Sequence, residues 1–122
     1  MNTNWENDIT KYAKKIYEVC SKETCYHKVI NKWDINNKFW GHCAIVTLLI
    51  NDKFGGQIKR GVIAEEGVSH YWNNINGKDY DVTICQYNYY PTIVDITTSS
   101  KEYLLKSEST LKRYLILKQL LK

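Results

Sequence analysis

The stretch VSHYWNNINGKDYDVTIC, residues 68–85, decides the fold because it has the pattern of two strands joined by a two-residue turn. Asn76 and Gly77 both tolerate the positive φ that a type I′ turn requires, and this pair is the strongest short hairpin signal in a sequence. Strands are therefore predicted over residues 68–75 and 78–85. A further strand is predicted over residues 57–64, which gives a small antiparallel sheet.

The turn also fixes which side chains meet. It pairs Ile75 with Lys78, so paired residue numbers sum to 153 along the hairpin. Because side chains alternate between the faces of a strand, His70 and Asp81 then share a face as diagonal neighbours, about 7 Å apart between backbones. Asp81 can then orient the imidazole and leave its second nitrogen free to take a proton. A three-residue loop would shift the register and place Asp81 on the opposite face.

A helix that begins at Cys43 supplies a third candidate residue. Residues 44–50 are almost all apolar, and Gly55 follows as a C-terminal stop, so the helix is expected to be buried. A thiol at a helix N-terminus lies at the positive end of the helix dipole, which favours the thiolate. Cys43, His70 and Asp81 therefore form a candidate catalytic set with a cysteine nucleophile. A cysteine that opens an apolar helix is also a common core residue.

The rest of the chain predicts further helices around this region. Residues 5–20 have apolar side chains at helical spacing, among them Trp5, Ile9 and Ile16. A short helix and a loop follow over residues 21–40, and residues 92–98 read as another strand or an extended connection. The closing helix begins after a cap at Ser107 or Ser109, and one of its faces carries Thr110, Tyr114, Leu117 and Leu121. This order predicts an α+β fold.

Composition narrows the class of protein. A chain of 122 residues with 43% hydrophobic and 25% charged residues is expected to form a single domain over residues 1–122. No apolar run is long enough to cross a bilayer and the N-terminal residues do not resemble a signal peptide, so a cytoplasmic protein without a membrane partner is expected. The four cysteines are then expected to be free thiols. Lysines spread along a chain of net charge +4 predict no nucleic-acid partner.

Two segments resemble a known family. WGHCAIVTLLINDKFGGQIKRGVI, residues 40–63, and SHYWNNINGKDYDVTICQY, residues 69–87, are similar to the YunG-type family of small bacterial proteins, and residues 100–120 resemble its closing helix. More distantly, the Gly-x-Cys-Ala helix start, the His-x-Trp strand and the Asp that follows resemble the transglutaminase and papain-like superfamily of cysteine enzymes. The resemblance implies a papain/transglutaminase-like fold with Cys43 as nucleophile, His70 as general base and Asp81 as its orienter. The chain departs from the family at His42, where Gln is usual, and in the VTICQ stretch after Asp81.

These observations predict a cysteine-dependent hydrolase or acyltransferase that attacks an amide or thioester. The substrate is expected to be a peptide or a small molecule, and no cofactor or metal is expected. The oxyanion would take the backbone N–H of Cys43 and a side chain just upstream, with Asn37 as first choice and His42 and Trp40 as further candidates. Trp72, two residues after His70, would shield the site from water or form a wall for an acyl group.

Other readings of the same residues are possible. The main alternative is a catalytically inactive binding or regulatory module on the same fold. A nucleic-acid accessory role would use Lys11, Lys14 and Lys15 together with the tyrosines. The spacing of Cys20, Cys25 and His27 is poor for structural zinc, and the tyrosines of residues 87–90 are interpreted as a packed rim.

Overall fold

The computed structural model describes the backbone of residues 4–122 and the side chains of residues 7–122. Helix α1 (Asn4–Val19) agrees with the predicted helix to within one residue at each end. Ile9, Ala13 and Ile16 bury its apolar face, whereas the side chain of Trp5, assigned to the same helix, lies outside the described residues. Two 3₁₀ helices, Lys22–Thr24 and His27–Lys32, and a loop then lead to Cys43, in place of the short helix and loop that were predicted.

Helix α2 (Cys43–Phe54) begins and ends where the sequence predicts. All six residues from Ile45 to Ile50 are buried, because the helix contacts β-strands as well as helices α1 and α4 (Glu108–Leu120). Gly55 ends the helix with φ of +76°, a conformation that glycine adopts at no steric cost.

The sheet has four antiparallel strands in the described part of the chain. They are β1 (Gln57–Ile63), β2 (Val68–Ile75), β3 (Lys78–Tyr80) and β4 (Ile93–Ser99). Their order in the sheet is β3-β2-β1-β4, so β2 and β1 are central. The stretch after Pro91 is thus a strand, and it forms an edge of the sheet beside β1. The predicted α+β class is confirmed.

The hairpin has the predicted register but a shorter second strand. Ile75 pairs with Lys78 across a turn in which Asn76 and Gly77 have φ of +55° and +81°. Pairing ends at Asn73 and Tyr80, so the prediction that the strand continues to residue 85 is wrong. The opposed pairs expected beyond Tyr80 do not form.

Local hydrogen bonds explain why β3 stops early. The N–H of Ile84 donates to the carbonyl of Asp81 over 3.3 Å, and the N–H of Gln86 donates to the carbonyl of Thr83 over 3.0 Å. These bonds replace ladder bonds to β2 and wind the chain into a 3₁₀ turn over Ile84–Gln86. The turn carries Thr83 and Gln86 into the interior, where both are buried.

Two helices close the chain. Helix α3 (Lys101–Leu105) was not predicted, because five residues are too short to show a helical pattern. Helix α4 begins after Ser107, whose hydroxyl accepts a 3.2 Å hydrogen bond from the N–H of Thr110. Ser107 rather than Ser109 is therefore the cap. Thr110, Tyr114 and Leu117 are buried as expected, and Arg113 joins them. No helix in the described part of the chain is long and apolar enough to cross a membrane.

Candidate active site

His70 and Asp81 are joined by a hydrogen bond between Nε2 of the imidazole and Oδ2 of the carboxylate, 2.7 Å apart. The His70 side chain is fully buried and that of Asp81 is 18% exposed. Asp81 lies just past the end of β3, so the turn, and not strand pairing, brings it to the imidazole. The structure thus joins the two residues that the register argument selected, by a route that the register alone does not give.

The Cys43 thiol is the second group that acts on the His70 imidazole. Within the described residues no ordinary hydrogen bond reaches Nδ1, although the Cys43 thiol is close enough to act on the imidazole as a hydrogen-bonding group. Cys43 is half-buried and is the first residue of α2. All three predicted catalytic residues therefore lie together.

The relative position of helix and strand is fixed by a buried polar contact. The Nδ2 atom of Asn73, on β2, donates to the backbone carbonyl of Thr47, on α2, over 3.0 Å. Asn73 is 1% exposed, and leaving its amide unpaired would cost about 1–3 kcal/mol. Asn73 is three residues from His70, and Thr47 is one helical turn from Cys43. This bond therefore helps to fix the position of the helix start relative to the strand.

The environment of His70 favours its charged form. Burial acts to lower the pKa of the imidazole, but the hydrogen bond to Asp81, followed by the interaction with Cys43, raises that pKa above its ordinary value. At neutral pH the arrangement therefore favours an imidazolium between a carboxylate and a thiol. A neighbouring imidazolium stabilises a thiolate.

Aromatic rings surround the imidazole. Trp72 stacks on His70 with ring centroids 5.9 Å apart and an angle of 27° between the planes. Tyr87 meets His70 edge-on at 5.9 Å and contacts Trp40 at the same distance. Tyr89 packs on Tyr87 at 5.7 Å. These rings cover part of the imidazole, and the role of Trp72 as a shield from water or a wall for an acyl group stays a prediction. The sequence does not distinguish Tyr87 from the neighbouring tyrosines as the ring that contacts His70, because that contact joins distant parts of the chain.

His42 is a buried structural residue. Its Nδ1 is 2.8 Å from the carbonyl of Trp40, and its Nε2 is 2.7 Å from the hydroxyl of Thr24. A carbonyl can only accept, so Nδ1 carries the proton and Nε2 accepts from Thr24. Burial lowers the pKa of His42 to about 4. Both ring nitrogens are therefore occupied, and neither is left to bind a ligand.

The other two predicted binding residues form the loop before Cys43. The indole N–H of Trp40 donates to the carbonyl of Val29 over 2.9 Å. Nδ2 of Asn37 donates to the carbonyl of Gln86 over 2.9 Å, and a carboxamide has a second N–H to offer. Gln86 itself was not selected from the sequence, since nothing local distinguishes it.

The remaining cysteines are in different environments. Burial raises the pKa of Cys20 to about 12 and that of Cys25 to about 11, which suppresses their thiolates at neutral pH. Cys85 is an exposed residue, yet partial burial of its sulfur and, to a lesser extent, the charge of Asp81 raise its pKa against the opposing effect of its own backbone N–H. All four thiols are free, and no group of three metal-ligating side chains occurs in the described region.

The geometry defines a small α+β protein with a helix-borne thiol beside a His–Asp pair. The family model of the YunG protein matches residues 8–122, so the chain belongs to the YunG family. The uncharacterized protein YunG of Bacillus subtilis (strain 168) is 37% identical over 57 residues, which are 47% of this chain and 48% of that protein. The chain thus spans about half the length of this curated relative. No solved structure matches the chain.

Proposed function

We propose that this protein is a cysteine-dependent hydrolase or acyltransferase that acts on an amide or thioester, on a fold of the papain/transglutaminase type. Cys43 is the nucleophile, His70 transfers the proton and Asp81 holds His70. The observation that carries the proposal is the imidazole itself. One nitrogen is bound to Asp81 over 2.7 Å, the other has no ordinary hydrogen bond in the described region, and the Cys43 thiol interacts with the same imidazole.

The charge state of His70 suggests the order of proton transfers. In the resting site His70 holds the proton of Cys43 as part of a thiolate–imidazolium pair, and the thiolate sulfur attacks the carbonyl carbon to form a C–S bond and an oxyanion. The oxyanion collapses, the bond to the leaving nitrogen or sulfur breaks, and the imidazolium gives that atom its proton. His70 then takes a proton from water or another acceptor, which attacks the thioester carbonyl and releases Cys43.

Hydrogen-bond donors for the oxyanion are available at the start of α2. The N–H groups in the first turn of a helix have no acceptor within the helix, and the His42 side chain does not cap this end. We assign the Cys43 N–H as one donor and the second Nδ2 proton of Asn37 as the other. The free thiols fit a reducing compartment, and we place the enzyme in the cytoplasm.

One observation favours the alternative of an inactive binding module. The side chain of His70 is fully buried and Trp72 is only 5% exposed, as expected of packing residues. In that case the His70–Asp81 pair would be structural, and Cys43 would react slowly with any electrophile.

The experiment that separates the two is the rate of iodoacetamide labelling of each cysteine in the folded protein, followed by peptide mass spectrometry across pH. We expect Cys43 to label fastest near neutral pH. His70→Ala should slow it by at least about tenfold, because a neighbouring cation stabilises a thiolate by a few kcal/mol.

A matched pair of carboxylate variants provides the control. Asp81→Asn removes the partner of His70, whereas Asp79→Asn changes a residue of the same hairpin that is exposed and bound to Asn74. Only the first should slow labelling of Cys43. If Cys43 reacts no faster than buried Cys20, the catalytic proposal is wrong.

A further inference from the structure

The side chain of Gln86 joins two segments of the candidate site. Its Oε1 accepts a hydrogen bond from the N–H of Gly41 over 3.3 Å, and its Nε2 donates to the carbonyl of Thr83 over 3.0 Å. The backbone carbonyl of the same residue accepts the 2.9 Å hydrogen bond from Asn37. Gln86 is 6% exposed, so these bonds form away from competing water.

The two ends of this bridge lie close to the reacting groups in sequence. Gly41 is two residues before Cys43, and Thr83 is two residues after Asp81. The carboxamide therefore connects the loop that delivers the nucleophile to the turn that delivers the carboxylate. Without it, these segments, more than 40 residues apart in the chain, would keep the hydrogen bond from Asn37 to the Gln86 carbonyl but lose the direct bond to Gly41.

The Gly41 loop is held firmly enough to transmit this constraint. Gly41 has φ of +73°, and a Cβ there would lie 2.5 Å from the sulfur of Cys25. Its carbonyl accepts a 3.0 Å hydrogen bond from the N–H of Tyr26. With one polar group bound to Tyr26 and the other to Gln86, the peptide before His42 and Cys43 has little freedom.

We propose that Gln86 is a positioning residue that sets the distance and direction of Cys43 relative to the His70–Asp81 pair. The inference rests on the proposed function. A carboxamide suits the task because the site needs an acceptor toward Gly41 and a donor toward Thr83 at once, and only an amide side chain of this length provides both. Tyr87, the next residue, is placed against His70 by the same turn.

Two substitutions test the role. Gln86→Met keeps the length and loses both hydrogen bonds, whereas Gln86→Glu keeps an acceptor for Gly41 and loses the donor to Thr83. Gln119→Met makes the same chemical change at an exposed position of α4 and is the matched control. The readouts are the pH profile of iodoacetamide labelling at Cys43 and the urea unfolding curve of each variant.

In Gln86→Met we expect labelling near neutral pH to fall by about tenfold or more, since small misplacements of a reacting group have effects of this size. The pH of half-maximal labelling should move upward, Gln86→Glu should lie between wild type and Met, and Gln119→Met should match wild type. A purely structural role would lower the unfolding midpoint and leave the pH profile unchanged.

The outcomes distinguish this inference from the proposed function. If wild-type Cys43 is unreactive, the proposed function fails and the inference with it. If wild-type Cys43 is reactive and Gln86→Met keeps the same pH profile, only the inference is overturned. If Gln86→Met does not fold, the profile of Gln86→Glu decides, and an unchanged profile there refutes the positioning role.

Discussion

Acid should destabilise this protein through His42, because the imidazole is buried in its neutral form. Burial, the largest influence, lowers its pKa from an ordinary value of 6.5 to about 4, and the charge of nearby Arg113 acts in the same direction. The unfolded chain therefore binds a proton between these two values that the folded chain does not bind. Stability from neutral His42 is complete above pH 6.5 and is lost as pH falls toward 4.

The size of the effect follows from the two pKa values. Between pH 7.5 and 5.0, proton linkage with pKa values of 6.5 and about 4 gives a loss of about 2 kcal/mol in the free energy of unfolding. Complete protonation of both states at lower pH would raise the loss to about 3 kcal/mol. Either figure is a large fraction of the 5–15 kcal/mol, roughly, that holds a domain folded.

Urea unfolding at pH 7.5 and pH 5.0 measures this loss in wild type and in His42→Gln. Gln cannot take up the proton, so the variant should lose about 2 kcal/mol less than wild type over the same interval. His27→Gln, which changes an exposed histidine, should follow wild type. The reasoning is refuted if wild type and His42→Gln lose the same free energy between the two pH values.

Two further predictions concern His70 and its surroundings. Burial acts to lower the pKa of His70, but Asp81 and then Cys43 raise it to about 10. The stability gained from the His70–Asp81 pair is therefore complete below pH 6.5 and is lost as pH rises toward 10. Asp81→Asn should cost about 3 kcal/mol at pH 6.5 and clearly less at pH 9.5, and equal costs in urea unfolding at both pH values would contradict the assignment. Gly61→Ala would bring a Cβ against Ile93 and within 3.2 Å of the Trp72 ring. It should therefore destabilise the fold by about 1–3 kcal/mol and slow labelling of Cys43. A melting temperature equal to that of wild type would contradict this and show that β4 moves aside freely.

The elements that could be predicted from the sequence are those defined by local patterns. Helix α2 is recognisable from its continuous apolar run and the glycine at its end, and the hairpin turn from Asn76 and Gly77. The end of β3 could not be predicted in this way. Nothing in the sequence between Tyr80 and Cys85 breaks a strand, and the chain leaves the sheet because backbone groups of Asp81 and Thr83 find partners within the turn.

The candidate site divides along the same line. Cys43, His70 and Asp81 could be predicted, because each follows from a local sequence signal together with the register of one hairpin. The hydrogen bonds of Gln86 reach Gly41 and Asn37, which are 45 and 49 positions away along the chain. His42 is bound to Thr24 from a different part of the chain. Sequence patterns report spacing along one element, so contacts made by loops with other loops leave no periodic trace.

The two buried histidines show what burial alone does not determine. His42 and His70 are both 0% exposed, and burial acts on both to favour the neutral ring. His42 faces a carbonyl and a hydroxyl, and its hydrogen bonds to backbone carbonyls offset only part of the effect of burial and of the nearby cation Arg113, so the ring stays neutral. His70 faces a carboxylate and a thiol, and its pKa moves in the opposite direction. An imidazolium beside Cys43 can stabilise a thiolate and later give its proton to a leaving group, whereas an imidazole with both nitrogens in hydrogen bonds has no free nitrogen for proton transfer. The chemistry of the partners, rather than depth in the core, therefore separates the two histidines, and it supports the structural role of His42 and the proton-transfer role that we propose for His70.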